Sequence, residues 1–419
     1  MRRIAESQLA DPPTLNSQVA LLTGGGDRPY ALGLAASLIA QGISFDFIGS
    51  DSLESAELRA SSQVQFLNLR GDANPDAPLG TKVARVARYY ARLLRYAATA
   101  RPGIFHILWN NKLEHFDRTL LLLYYRCLGK RIVFTAHNVN AGKRDGNDSV
   151  LNRLTLWIQY RLVDHVFVHT QQMKKELGAD FDVAERKISV IPFGMNSTVP
   201  ETTLTGPEAR RRLGLTESDK VILFFGNIAP YKGVEYLVEA MALLSDRLPE
   251  SRLVIAGRPK GSESYWSAIQ DRISQLDLRP RVVQRIEYVP DADTEIYFKA
   301  ADLLALPYTH VFQSGVLFLG YNFGLPALAS DVASFKDDIV EGTTGFVCPP
   351  CDPLALAQSI ERFFSSDLYA SLPAHRPAIR QFAAERYSWT TVGSMTREVY
   401  SAVRACQRQR SSDSPARVL

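Results

Sequence analysis

The sequence predicts an α/β protein of two doubly wound, Rossmann-like domains, each a parallel sheet covered on both faces, with a cleft between them. Three observations carry that expectation. Short apolar, β-rich runs recur along the chain with helical periodicity between them, the pattern of strands buried on both faces. The alternation stops once, after Met195, in a stretch rich in Pro, Thr and Gly, and then resumes. With 419 residues, 46% of them apolar, the chain can bury two cores of ordinary size.

The elements follow in order. Strand-like runs in the first half are VALLTG (19–24), SFDFIG (44–49), VQFLNL (64–69), IFHILW (104–109), RIVFTAH (131–137), HVFVHT (165–170) and ISVIPFG (188–194). Helical patterns at 30–41, 81–99, 116–128 and 149–163 separate most of them. After the link come VILFFG (221–226), RLVIAG (252–257), RVVQRI (281–286), DLLALP (302–307), PALAS (326–330) and GFVC (345–348). A last helical pattern spans roughly 379–405. The boundaries expected are a first domain over 1–200, a link over 201–219, a second domain over 220–385, a terminal helix over 386–408 and a polar, disordered tail over 409–419.

Bulk properties exclude several classes. Forty-eight basic against 44 acidic residues leave a net charge of +4, too small to imply a nucleic-acid binder. Four cysteines are too few for a disulfide scaffold, which points to a reduced, cytoplasmic setting. The start, MRRIAESQLADPP, lacks the apolar stretch of a signal peptide. The longest apolar runs, such as TLLLLYY, fall short of the roughly 20 residues a membrane span needs. A soluble protein is expected, or one resting peripherally on the inner face of a membrane.

Ligands of open α/β sheets bind beyond the carboxyl ends of strands, so the residues there matter most. Lys232 lies between the strand ending at Gly226-Asn227 and a helix that starts near Gly233. A solvated surface charge and an anion hook are both open for it; a helix start, with its unpaired amides and dipole, favours the hook. In the loop Gln313-Ser314-Gly315-Val316, Ser314 can cap a helix and Gly315 lets a ligand approach the backbone. Two such helix starts in one domain suit a diphosphate. In the first domain Gly24-Gly25-Gly26 follow the first strand, but without the third glycine of a dinucleotide loop or the lysine of a nucleoside-triphosphate loop.

At this point the chain resembles a known family. FFGNIAPYKGVEYLVEA, RLVIAG, ADLLALPY and FGLPALASDVASFKDDIVEGTTGFVCPPCDPLALAQSI follow, in order, the signature of group 1 (family 4) retaining glycosyltransferases of the GT-B fold. FTAHNV is similar to the family's His-containing strand end, LLTGGGDRPYALGLAASLIAQG to its first glycine loop, and YSWTTVGSMTREVY to the helix that returns to the first domain. The resemblance implies transfer of a sugar from a nucleoside diphosphate sugar to the hydroxyl of a carbohydrate or lipid-linked acceptor, with retention and with no further cofactor. It implies donor contacts from Gly226, Asn227, Lys232, Gln313, Ser314, Gly315 and Val316, and an acceptor or diphosphate wall at Gly24, Gly25 and Gly26. Lys232 and His137 carry the chemistry in that scheme. No Asp-x-Asp pair stands beside these loops, so no metal is expected.

Two departures mark a divergent branch. The family's paired glutamates fall on Val311 and Leu319, and Asn227 stands where an arginine is usual. A non-catalytic nucleotide-sugar binder or scaffold is therefore the rival, with an epimerase as a third possibility. The remaining residues have plainer explanations. His106, His165 and His169 lie inside strand patterns and are expected in the core or at an edge, while His310 could reach a sugar hydroxyl. Cys348 and Cys351 have redox spacing by chance, and Asp331, Asp337, Asp338 and Glu341 are either helix-start carboxylates or nucleotide contacts. Arg85, Arg88, Arg92 and Arg95 share one helix face, either a solvated edge or a weak contact with anionic lipid.

Overall fold

Each of the thirteen apolar runs forms a strand, most of them trimmed by one to four residues at the carboxyl end. The computed structural model describes residues 18–412 except 73, 75, 76, 145–147, 196–198, 260, 312 and 333. The first sheet has seven strands: β1 (Val19–Leu22), β2 (Phe45–Gly49), β3 (Val64–Asn68), β4 (Ile104–Ile107), β5 (Arg131–Thr135), β6 (His165–Val168) and β7 (Ile188–Val190), in the order β3-β2-β1-β4-β5-β6-β7. The second has six: β8 (Lys220–Phe225), β9 (Ser251–Ala256), β10 (Val282–Arg285), β11 (Leu303–Leu306), β12 (Ala327–Ser330) and β13 (Gly345–Cys348), in the order β10-β9-β8-β11-β12-β13. Val19 pairs in parallel with Phe45 on one side and Ile104 on the other. Ile222 does the same with Leu253 and Leu303.

Both sheets therefore reverse their winding direction once, between β1 and β4 and between β8 and β11. Loops leaving two neighbouring strands diverge there and open a crevice at the carboxyl ends. The Gly24–Gly26 loop sits at the first reversal. Gly226–Lys232 and the loop after β11 sit at the second.

By contacts the chain divides into two compact units. One holds the residues up to Thr135, Ile158–Val166 and everything from Gly393 on; the other holds Ala136–Trp157 and Phe167–Val392. In the second unit Leu223, Val254, Leu304 and Leu328 are buried on the sheet, and Val238, Met241, Ile269 and Phe363 from the helices cover them. Burial of each such side chain is worth about 1.5–3 kcal/mol. In the first unit Leu21, Phe47, Phe105 and Val133 fill the same role.

Local signals set the helix starts. Asp27 accepts the Tyr30 amide at 2.9 Å to open Arg28–Ala40. Thr205 and Glu208 form a reciprocal capping box on Gly206–Arg212, the short basic helix of the link. The single last helix expected over 379–405 is instead two, Leu372–Arg386 and Trp389–Ser412. Tyr387 is buried with its hydroxyl on Asp338 Oδ1 at 2.8 Å, and Ser388 Oγ accepts the Thr390 amide at 3.1 Å, so the chain turns and starts again. That helix reaches Ser412, past the expected end at 408; residues 413–419 of the tail and residues 1–17, with the start read as lacking a signal peptide, lie outside the described residues. Among the described residues no helix is long and apolar enough to cross a membrane.

Candidate functional site

In the second unit the loop after β8 turns back through the short 3-10 segment Pro230–Lys232 into the helix Val234–Leu243. Gly233 joins them at φ 65°, and a Cβ there would lie 2.0 Å from the Pro307 carbonyl oxygen, so only glycine fits. Lys232 is buried, not solvated. Its ammonium donates to Tyr308 Oη at 2.5 Å and lies 3.9 Å from the centre of that ring. Ser314 Oγ donates to the same phenol oxygen at 3.4 Å, so Tyr308 joins the two loops. Thr309 also donates its amide to the Tyr231 carbonyl at 2.9 Å. Burial raises the Tyr308 phenol above its ordinary pKa, with the Ser314 hydrogen bond acting the other way; the hub is a neutral phenol.

Ser314 occupies the N-cap position of Gly315–Asn322, but its side chain makes no capping bond. The expected cap is corrected: Tyr308 takes the hydroxyl, the Leu317 amide donates to the Ser314 carbonyl at 3.1 Å, and only the Gly315 and Val316 amides precede any intrahelical acceptor. Gly315 is exposed, and a Cβ added to it would meet nothing nearer than Phe193 Cε1 at 3.8 Å. One added to Gly226 would lie 3.4 Å from Val316 Cγ2. Gly226, Lys232, Ser314, Gly315 and Val316 thus gather in one place, with Asn227 exposed beside them. Gln313 is half-buried, and among the described residues its Oε1 has no hydrogen-bond partner. The other helix start is partly occupied, since the Val234 amide donates to Tyr265 Oη at 3.1 Å.

Val311 and Leu319, at the positions of the family's glutamates, are buried in the apolar core. Three of the four carboxylates after β12 have structural partners, and Asp337 is exposed. Asp338 is buried on Tyr387, its pKa raised by desolvation, while Glu341 meets Arg362 at 2.6 Å and Asp331 meets Lys336 at 3.5 Å. Cys348 is buried, its thiol pushed up to about 12 by burial; Cys351 is exposed, and both are free thiols. His310 is exposed. His137, two residues past β5, offers Nδ1 to Nε2 of the buried His169 at 3.0 Å. Phe193 meets both imidazoles edge-on and stacks on Phe318 of the helix that begins at Gly315, with centroids 5.7 Å apart.

The glycine loop of the first unit is packed by its own neighbours. Gly24 and Gly25 have φ 60° and 76°; a Cβ on Gly24 would lie 2.0 Å from the Trp109 carbonyl oxygen, one on Gly25 1.4 Å from Arg70 Nη1, and one on Gly26 2.0 Å from the Trp109 indole. Arg70 donates to the Gly24 carbonyl at 2.8 Å and to Asn111 Oδ1 at 3.2 Å, and its guanidinium lies 4.9 Å from the Tyr89 ring centre. Asn111 leads on to the buried Asp117, whose carboxyl is lifted to about 6 by desolvation against hydrogen bonds from Tyr90 and Asn111. His106 is wholly buried, as expected, between Tyr400 Oη at 2.6 Å and Thr135 Oγ1 at 2.8 Å.

Arg70 and His169 lay outside the sequence reading of the site, whereas Trp109 and Tyr308 fell within the strand-end stretches that matter most, 109–112 and 307–315, without a role of their own. For Tyr308 a signal existed, since it ends the run ADLLALPY at a switch-point strand. For Arg70 and His169 there was none beyond strand-end position. Among the described residues no cluster of three or more His, Cys, Asp or Glu could hold a metal.

Comparison with known proteins matches both halves of the chain. The sequence model for glycosyl transferases group 1 matches residues 206–381, and that for glycosyltransferase family 4 matches 24–198. By sequence and fold the chain is of the group 1, family 4 glycosyltransferase type, with the GT-B architecture. The D-inositol 3-phosphate glycosyltransferase of Streptomyces avermitilis is 29% identical over 254 residues, 59% of this chain and 53% of that protein. The chain thus spans only about half the length of that relative. Two solved structures share the fold: Anabaena HepE in complex with UDP and glucose (TM-score 0.71, 16% identity, 92% of this chain and 100% of that one) and sucrose-phosphate synthase from Thermosynechococcus elongatus (TM-score 0.73, 18%, 93% and 100%).

Proposed function

We propose that the protein transfers a hexose from a nucleoside diphosphate sugar to an acceptor hydroxyl, with retention and without a metal, in polysaccharide or glycolipid assembly. The carrying observation is the buried Lys232, held on Tyr308 beside the buried Ser314 and the exposed Gly315 that open a helix. A lysine and unpaired helix amides around one space suit a departing diphosphate, whose charge grows as the anomeric bond breaks. The sugar–phosphate bond breaks, the acceptor oxygen bonds the anomeric carbon on the same face, and its proton passes to the departing phosphate. No dedicated base is needed. The second unit supplies donor contacts from Gly226, Asn227, Lys232 and Gln313 to Val316; the first supplies the acceptor side along Gly24–Gly26. His137 contacts the sugar. HepE was solved with UDP and glucose, which supports a nucleotide-sugar donor and makes UDP-glucose the first to try.

The rival is a non-catalytic nucleotide-sugar binder, favoured by the burial of Val311 and Leu319 where carboxylates are usual. Release of free nucleotide from UDP-, GDP- and ADP-sugars, with and without lipid-linked acceptors or inositol 3-phosphate, separates the two. Acceptor-dependent release supports transfer. Binding without release from any donor supports the scaffold, and altered sugar without an acceptor supports an epimerase. Full loss in EDTA, restored by magnesium, would overturn metal independence.

A cytoplasmic protein touching the inner face of an anionic membrane through the helix Leu79–Thr99 belongs to the same proposal. Arg88, Arg92 and Arg95 are exposed there with Leu79 and Val83, while Arg85 is taken by Asp72 at 2.5 Å. Three arginines near such a surface contribute about 1 kcal/mol each. Replacing them with glutamine should release the protein from phosphatidylserine vesicles in co-sedimentation; unchanged pelleting would remove the helix from the account.

A further inference from the structure

We propose that His169 is a positioning residue: it holds His137 as the tautomer protonated on Nδ1, so that the neutral His137 ring carries its lone pair on Nε2 and receives a hydroxyl there. The inference rests on the proposed role of His137 as a sugar contact, and it names the chemistry of that contact.

The protons can be placed one at a time. The Ile191 carbonyl can only accept, so His169 Nδ1, 3.3 Å from it, donates. Burial holds the His169 imidazole neutral, its pKa lowered to about 4 against the pull of that carbonyl. A neutral ring with its proton on Nδ1 has only a lone pair on Nε2. The group facing that lone pair at 3.0 Å is His137 Nδ1, which must therefore be the donor. A carbonyl thus sets the tautomer of two rings in sequence, as second partners of metal-binding histidines do.

The backbone makes this arrangement stiff. Ala136 donates its amide to Phe167 at 2.8 Å, and Ile191 donates to Val168 at 2.8 Å, so His137, His169 and Ile191 stand side by side just past three strand ends. Phe193 closes the flank of the pair, edge-on, with centroids 5.0 Å from His169 and 6.1 Å from His137. Held in this way, His137 accepts from a sugar hydroxyl, but it cannot donate to a phosphate oxygen or carbonyl without taking a second proton.

Long-range proton–nitrogen correlation on the full chain, labelled with nitrogen-15 histidine at pH 7.5, reads the tautomer directly. His137→Gln assigns the signal among the seven histidines. The expected result is Nδ1–H for His137 in the native protein, a shift toward Nε2–H in His169→Phe, and recovery in His169→Gln, whose amide oxygen can accept the same proton. Nε2–H in the native protein, or a tautomer untouched by His169→Phe, would overturn the proposal; the native spectrum decides even if that variant does not fold. Turnover is read separately, with kcat/KM for the donor expected to fall about tenfold in His169→Phe. A tautomer that shifts while turnover holds would leave the positioning intact and remove His137 from the sugar.

Discussion

A Cβ on Gly24 would lie 2.0 Å from the Trp109 carbonyl oxygen, whereas one on Gly315 would have 3.8 Å to its nearest neighbour, Phe193. Both glycines follow a strand at a winding reversal, and the sequence invites one explanation for both: room for a ligand. The structure separates them. Gly24 and Gly25 take a left-handed backbone under Trp109 and Arg70, so the fold itself demands them. Gly315 has no such backbone and no such neighbour. A need for glycine there would come from something the chain does not contain. A glycine loop marks a site only after its own side-chain neighbours have been counted.

That contrast can be broken experimentally. Gly24→Val should cost about 3 kcal/mol of stability, from a strained backbone and a contact with a carbonyl that cannot move aside. Denaturant unfolding measures it, and a near-native midpoint would show that the loop yields. Lys232→Ala should leave stability nearly intact but lower turnover about a hundredfold, roughly 2.7 kcal/mol of transition-state stabilisation. Near-normal turnover in the folded variant would make the Lys232–Tyr308 pair a structural one. Gly315→Val should change unfolding by less than about 0.5 kcal/mol yet abolish binding of UDP in calorimetry. Tight binding would mean that the diphosphate sits elsewhere.

The smallest effect compares the units in acid. Burial depresses His106 to about 3 and His165 to about 4 in the first unit, and His169 to about 4 in the second. The unfolded chain takes up these protons near 6.5, before the folded one does, so stability is present above 6.5 and is lost as pH falls toward 4. The slope is at most about 1.4 kcal/mol per pH unit for each histidine. Asp117, lifted to about 6, works in the opposite sense: its contribution is present below the ordinary carboxylate pKa and is lost as pH rises through 6. Asp302 and Asp338, also raised by burial, oppose acid loss in the second unit. Between pH 7 and 5, above the range in which the lowered carboxylates such as Asp164 and Glu295 take up protons, two histidines against one carboxyl, compared with one against two, make the first unit the more acid-sensitive. Hydrogen exchange at pH 7 and pH 5 should show its strands opening first; the reverse order would contradict this.

How much was legible follows from where information lies in a chain. Strands declare themselves locally, because burial on both faces makes continuous apolar runs, and all thirteen were found. Lys232 and Gly315 were legible by position after a strand. Tyr308 was legible only as a strand-end residue and the roles of Arg70 and His169 not at all, because each matters through a partner brought by another strand: Lys232, Gly24 and His137. Ser314 misled for the same reason. Its local pattern says cap, and a tyrosine six residues upstream overrides it. The break at Tyr387 was hidden because a buried acid, Asp338, bends a sequence that is helical on both sides.

The bond between His106 and Tyr400 spans 294 residues of chain. During synthesis β4 leaves the ribosome well before Tyr400, so its buried histidine has no Tyr400 to meet until 294 more residues have been made. At about 5–20 residues per second, that delay is roughly 15–60 s. Throughout it the first sheet must persist with a polar ring under an uncovered surface, or wait unfolded. The first unit waits for residues made after the second, and the helix Trp389–Ser412 sets the moment at which the nascent chain no longer exposes that gap to chaperones and proteases.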